Sequence, residues 1–248
     1  MRRRIAILAL LVTPLLQASS FVVTDPFNVG GNSDVIGDKQ LFDIESAMIA
    51  LDPDMVTIRI RMNTDNIALN PFGTDPKLDV GDIFFEVNGQ LRYGIPLRDH
   101  EGSTNPGGPT GLQVLAGHLY QINSLSDGLM TARQALGDPS NYSYRPEQVV
   151  WLWNNNGALT DLNVGSPKVA VANIPGNDGV NGPLYEITAQ FERPAGFLDN
   201  LNGVKFYFAS ATCGNDIIEG FLVPEPGTMF ITAGGFLALA LLRRRSRR

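Results

Sequence analysis

Val56-Thr57-Ile58-Arg59-Ile60-Arg61-Met62 alternates apolar and polar residues without a break. Successive side chains of an extended strand point to opposite faces, so the four apolar residues line one face and Thr57, Arg59 and Arg61 the other. A helical period does not fit this run. Upstream, Asp52-Pro53-Asp54 divides it from a second extended stretch that begins at Phe42, and proline presets the dihedral of the turn. The spacing predicts a hairpin over residues 42–62 with one face toward a core and one toward water.

The same logic extends outward from this hairpin. Ile83, Phe85 and Val87 lead into Asn88-Gly89, a strong two-residue turn signal, and Leu91, Tyr93 and Ile95 carry the chain back. Tyr185, Ile187, Ala189 and Phe191 alternate in one later strand and Val204, Phe206 and Phe208 in another. Further strands are expected over residues 115–122, 148–153 and 168–172, which brings the count to about eight or nine. One segment departs from period two: Leu129, Ala132, Arg133 and Leu136 recur at helical spacing after Ser126 and Asp127, and Gly137 can end the turn, which reads as a short helix or an ordered loop. Strands this frequent, joined by connections too short for repeated crossover helices, predict a mainly β chain. The expected architecture is a single antiparallel two-sheet β-sandwich, jelly-roll-like, with one short helix.

The two ends have a different composition. Met1-Arg2-Arg3-Arg4, an apolar run over residues 5–16 and the small residues Ala18-Ser19-Ser20 have the order of a secretory signal peptide, residues 1–20. Cleavage after Ala18 and cleavage after Ser20 both fit the small-residue rule. At the other end, Pro224-Glu225-Pro226 is followed by a charge-free run over residues 228–242 and then by Arg243-Arg244-Arg245-Ser246-Arg247-Arg248. That run predicts a C-terminal transmembrane helix, short against the roughly 17–25 residues of a stable span. Its arginines would hold to the cytoplasmic side and leave the body of the chain outside. Residues 21–223 form the remaining domain.

Over residues 21–226, 11 basic residues face 25 acidic ones, a net charge of about −14. Such a surface repels phosphate backbones, which argues against a nucleic-acid partner. Cys213 is the sole cysteine, so no internal disulfide forms and the fold relies on its core. The thiol suits either a buried site at a strand end or a reactive one.

The order of Pro224-Glu225-Pro226, apolar run and arginine cluster resembles the PEP-CTERM sorting signal of Gram-negative envelopes. The body is similar to the sandwich domains such proteins carry at Asp34-Val35-Ile36-Gly37-Asp38, at Phe42-Asp43-Ile44-Glu45-Ser46, at Gly81-Asp82-Ile83-Phe84-Phe85-Glu86 and at Cys213-Gly214-Asn215-Asp216-Ile217-Ile218-Glu219-Gly220. The resemblance implies export by the secretion machinery and signal peptidase, an inner-membrane-anchored precursor, and processing at the motif by an exosortase. It also implies a final place at the cell surface or in the extracellular matrix, with exopolysaccharide as a partner.

Catalytic motifs are sparse. Two histidines, His100 and His118, are present, with no Gly-x-Ser-x-Gly elbow, no His-Glu-x-x-His pair and no phosphate-binding glycine loop. His118 alternates with Tyr120 and Ile122, which suits a core or rim position. Asp79, Asp82, Glu86 and Asn88 place hard oxygen ligands around a strand and turn, as a calcium site or as solvated turn residues. Trp151 and Trp153, two apart, share a strand face and serve either as core or as a platform for a sugar ring. Two functions follow. The first is a non-enzymatic, exosortase-processed surface or matrix protein associated with exopolysaccharide or biofilm. The alternative is a secreted hydrolase that acts on polysaccharide through paired carboxylates.

Overall fold

A computed structural model describes residues 19–24, 43–63, 80–102, 110–136, 145–162, 165–179, 182–210 and 216–222. The expected signal peptide up to residue 18, Asp79, Cys213, the Pro224-Glu225-Pro226 motif, the apolar run and the terminal arginines lie outside them. Among the described residues no helix is long and apolar enough to cross a membrane; the expected transmembrane helix, residues 228–242, falls beyond them.

The chain begins one sheet with β1 (Ser19–Thr24), β2 (Ile44–Leu51) and β3 (Met55–Asn63). It then enters a second sheet through β4 (Ile83–Val87) and β5 (Gln90–Ile95). A small ribbon, β6 (His100–Gly102) against β7 (Thr110–Val114), precedes β8 (Tyr120–Ile122). Two short helices, α1 (Leu125–Gly128) and α2 (Ala132–Leu136), flank β9 (Leu129–Thr131), which pairs with β10 (Val149–Leu152). After β11 (Leu159–Asp161), β12 (Lys168–Gly179) and β13 (Gly182–Glu192) complete the first sheet. Finally β14 (Val204–Ala209) and β15 (Ile217–Phe221) complete the second.

All the strand pairs are antiparallel, in the orders β1-β2-β3-β13-β12 and β11-β8-β5-β4-β14-β15. Val56, Ile58, Ile60 and Met62 of β3 all face inward, as their alternation predicts, and pair across β2 and β13 with Ile49, Ala47 and Ile187. From the second sheet Ile83, Phe85, Phe206 and Phe208 meet them in one continuous core. Each fully buried side chain of this size contributes about 1.5–3 kcal/mol of transfer free energy. Phe85, Phe191 and Tyr93 all set ring edges or faces against Phe197 at centroid separations of 5.1–5.8 Å. Asn88 and Gly89 hold φ of 53° and 80°, the left-handed pair that a tight hairpin between β4 and β5 demands.

A second core lies on the outer face of the second sheet. Phe84, Tyr207 and Ala209 pack there against Met130, Val150, Trp151 and Leu152, so β4 and β14 are covered on both faces. Gly94 permits the approach, since a Cβ at that position would stand 2.6 Å from Leu152 Cδ2. This layer corrects two expectations. The segment expected as one helix is divided by β9, because Met130 and Leu129 pair with Trp151 and Leu152, and that pairing outweighs the 3.6-residue spacing. Ser124, ahead of Ser126 and Asp127, stands at the first helix's N-terminus. The strand expected over 115–122 is interrupted too: β7 ends at Val114, Gly117 turns the chain at φ 78°, and β8 starts at Tyr120.

Candidate functional site

The covering layer is fastened to the main sandwich at the residues just before β4. Asp82 donates its backbone N–H to the carbonyl of Val150 at 2.8 Å, and its Oδ2 accepts the N–H of Leu152 at 2.7 Å. Trp151 lies between them and donates Nε1–H to the carbonyl of Val80 at 2.9 Å. Three successive residues of β10 are thereby tied to Val80-Gly81-Asp82. Gly81 is required there, because a Cβ would run into the backbone carbonyl of Ala209.

His100, at the start of β6, completes the cluster. Its Nε2 lies 3.0 Å from Asp82 Oδ2, and its ring stacks on Trp151 with centroids 4.6 Å apart and planes 14° from parallel. Burial pushes the Asp82 carboxyl above its ordinary range, because the charged form loses its water; the nearby imidazole and the N–H groups of Leu152 and Leu97 oppose this. His100 Nδ1 and Asp82 Oδ1 are buried without hydrogen-bond partners among the described residues. The imidazole thus lies between the Trp151 ring and the carboxylate that ties β10 to the residues before β4, as part of that buried fastening.

His118 stands on the turn before β8, where its Nδ1 lies 2.8 Å from Asp161 Oδ2 and its ring stacks over Tyr120 at 6.3 Å. The Tyr120 hydroxyl accepts the N–H of Leu115 at 3.0 Å, and burial pushes its pKa upward. A second anchoring carboxylate is Asp216. Its Oδ2 accepts the N–H of Ile44 at 2.6 Å and its Oδ1 that of Ile217 at 2.8 Å. Two of the stretches that carry the family resemblance, around Asp43-Ile44 and Asp216-Ile217, thus meet in space.

The three described members of the expected calcium set, Asp82, Glu86 and Asn88, are dispersed. Asp82 is held by His100 and Leu152, and Glu86 lies four residues further along β4, about 13 Å at strand rise. Asn88 occupies the turn beyond, and among the described residues no group of three or more His, Cys, Asp or Glu side chains is gathered for a metal. Of the two tryptophans, Trp151 is 1 % exposed, leaving no open face for a sugar ring, while Trp153 is half-buried against the second core.

An open cleft lies elsewhere, beside β10 on the outer face of the second sheet. Glu86, Leu91, Gln148, Lys205, Tyr207 and Glu219 line a volume of about 180 Å³. Tyr207 closes its inner wall by donating its hydroxyl to the carbonyl of Val149 at 2.9 Å, and burial pushes that phenol upward in pKa. Lys205 Nζ lies 3.3 Å from Glu219 Oε1 and 5.5 Å from the ring centre of Phe221. Compared with models of known families, with curated proteins and with solved structures, the chain matches none. Sequence reasoning missed both the Asp82–His100 pair and this cleft. The cleft's only local trace is the polar-apolar alternation Lys205, Tyr207 and Glu219, Phe221 on the faces opposite the core residues.

Proposed function

We propose that the chain is an exported, non-enzymatic surface or matrix protein, processed by an exosortase at Pro224-Glu225-Pro226 and associated with exopolysaccharide. The observation that carries this reading is where the last described strand ends relative to the motif. β15 ends at Phe221, and Leu222 is buried and donates its N–H to the carbonyl of Val204 at 3.0 Å. The motif begins two residues later, so a cut there removes the apolar run and the arginines without taking a residue from the last strand. β1, Ser19–Thr24, takes in Ser19 and Ser20 of the small residues expected at the signal-peptide end, so a cut after Ala18 leaves this strand whole.

Within this reading the residue 228–242 helix anchors a precursor in the inner membrane, and the released body is a single jelly-roll-like domain at the cell surface or outside the cell. The test follows the native protein through membrane, envelope and culture-medium fractions and measures its intact mass, beside a hydrolysis screen on polysaccharides. An extracellular species lacking residues 243–248 and inert in the screen is expected. The full tail on the extracellular protein, or turnover abolished by a single Asp or Glu substitution, would sink the proposal.

A further inference from the structure

We infer that the cleft beside β10, together with the ring of Phe221 that adjoins it across Lys205, binds a neutral hexose unit of a polysaccharide. Strand register builds the site. Lys205 pairs with Glu86 on one side and with Phe221 on the other, and Tyr207 pairs with Phe84 and Glu219. Core-facing Phe206 separates Lys205 from Tyr207, so Glu86, Lys205 and Phe221 form one cross-strand row on the outer face and Tyr207 and Glu219 the next.

Phe221 is 59 % exposed on an edge strand, an uncommon place for a large ring. An aromatic face with negative potential suits the weakly positive C–H face of a pyranose, and the ring is wide enough to cover one. Around it the polar groups already stand in position. Glu219 holds the Lys205 ammonium, which keeps further N–H donors for a ligand. The Glu86 side chain makes no hydrogen bond or ion pair among the described residues, and its carboxylate can accept two or more hydrogen bonds from hydroxyls. A hexose carries several hydroxyls, each both donor and acceptor, and matches such a mixed set where a purely apolar ligand would leave it unsatisfied.

Charge selects among sugars. Glu86 and Glu219 share the cleft with Lys205, so it carries one net negative charge inside a strongly acidic chain. A polyanionic chain would meet that surrounding negative field, whereas a neutral one would not. Tyr207, locked to Val149, makes the wall rigid before a ligand arrives. This assignment rests on the polysaccharide association proposed above and names the place where it occurs.

Titration calorimetry on the full-length chain in detergent, with soluble glucan, galactan and mannan as neutral probes and alginate as a charged one, tests the site. At least one neutral glycan should bind, Phe221→Ala should weaken it roughly tenfold or more, as loss of an aromatic anchor does, and Phe221→Trp should restore it. Glu219→Gln and Lys205→Ala should weaken binding with the melting temperature unchanged. The assignment is overturned if no neutral glycan binds, if alginate alone binds, or if the Phe221→Ala and Glu219→Gln chains bind as well as the parent. Those results would leave the export and processing of the protein to its own fractionation and mass test.

Discussion

Asp216 Oδ2 accepts the backbone N–H of Ile44 at 2.6 Å, joining the residue before β15 of one sheet to the start of β2 in the other across 172 positions of chain. Both residues are fully buried, so the bond closes one end of the sandwich where water cannot substitute for either partner. Ser210 supports the carboxylate's residue from behind, accepting the N–H of Asp216 on its hydroxyl at 3.2 Å and donating its own N–H to the Asp216 carbonyl at 3.0 Å.

Replacing Asp216 with Ala should therefore lower stability by about 1–3 kcal/mol, the cost of a buried N–H without an acceptor. Asp216→Asn, which retains a side-chain oxygen, should lose less. Urea unfolding of the two variants beside the parent measures the difference, and equal midpoints for Asp216→Ala and parent would dismiss the contact as a stabilising one.

The Asp82–His100 fastening predicts a pH dependence of definite sign. Burial raises the Asp82 pKa in the folded state above its ordinary 3.8, so between those two values the folded chain holds a proton that the unfolded chain has released. The stability that Asp82 contributes is thus complete below 3.8 and declines as pH rises through the folded value. Asp82→Asn removes this titration. The parent's unfolding free energy minus that of the variant should fall with rising pH across the window, and a flat or rising difference would contradict the assignment.

Trp151 should be the tryptophan that reports on the covering layer. Trp151→Phe leaves the ring volume largely filled but strips the donor from the buried Val80 carbonyl, at a cost of about 1–3 kcal/mol. Trp151→Ala should cost about 3–5 kcal/mol by opening a cavity between His100 and the second core. Thermal melts give both numbers; a Trp151→Ala chain as stable as Trp151→Phe would mean that the layer collapses around the loss.

The proposed processing has an expected outcome at the N-terminus as well. A cut after Ala18 preserves all six residues of β1, whose Ser19 and Ser20 pair with Leu51 and Ala50, whereas a cut after Ser20 shortens the strand by two. Under the proposed export, N-terminal sequencing of the protein recovered outside the cytoplasm should therefore begin at Ser19. A start at Phe21 would show that the outer pairs of β1 are dispensable.

The hairpins were legible without coordinates, because alternation along β3 and the Asn88-Gly89 turn are properties of a few adjacent residues. The first sheet, the inner face of the second and the all-antiparallel pairing follow from that local pattern and from the need to bury one face per strand. Three-residue strands such as β9 and β11 lie below the length at which a period can be read. Whether the opposite face of β4 is buried is not a property of β4 at all. Phe84 sits in a second core because β9 and β10, distant in sequence, return to cover it. The Asp82–His100 pair, the bond from Asp216 to Ile44 and the cleft between Glu86, Lys205 and Glu219 are likewise meetings of side chains from separate strands. Sequence by itself determined which residues face inward along each long strand, since that depends on a two-residue period; only the tertiary structure decided which polar groups meet, since that depends on the order in which the strands pack.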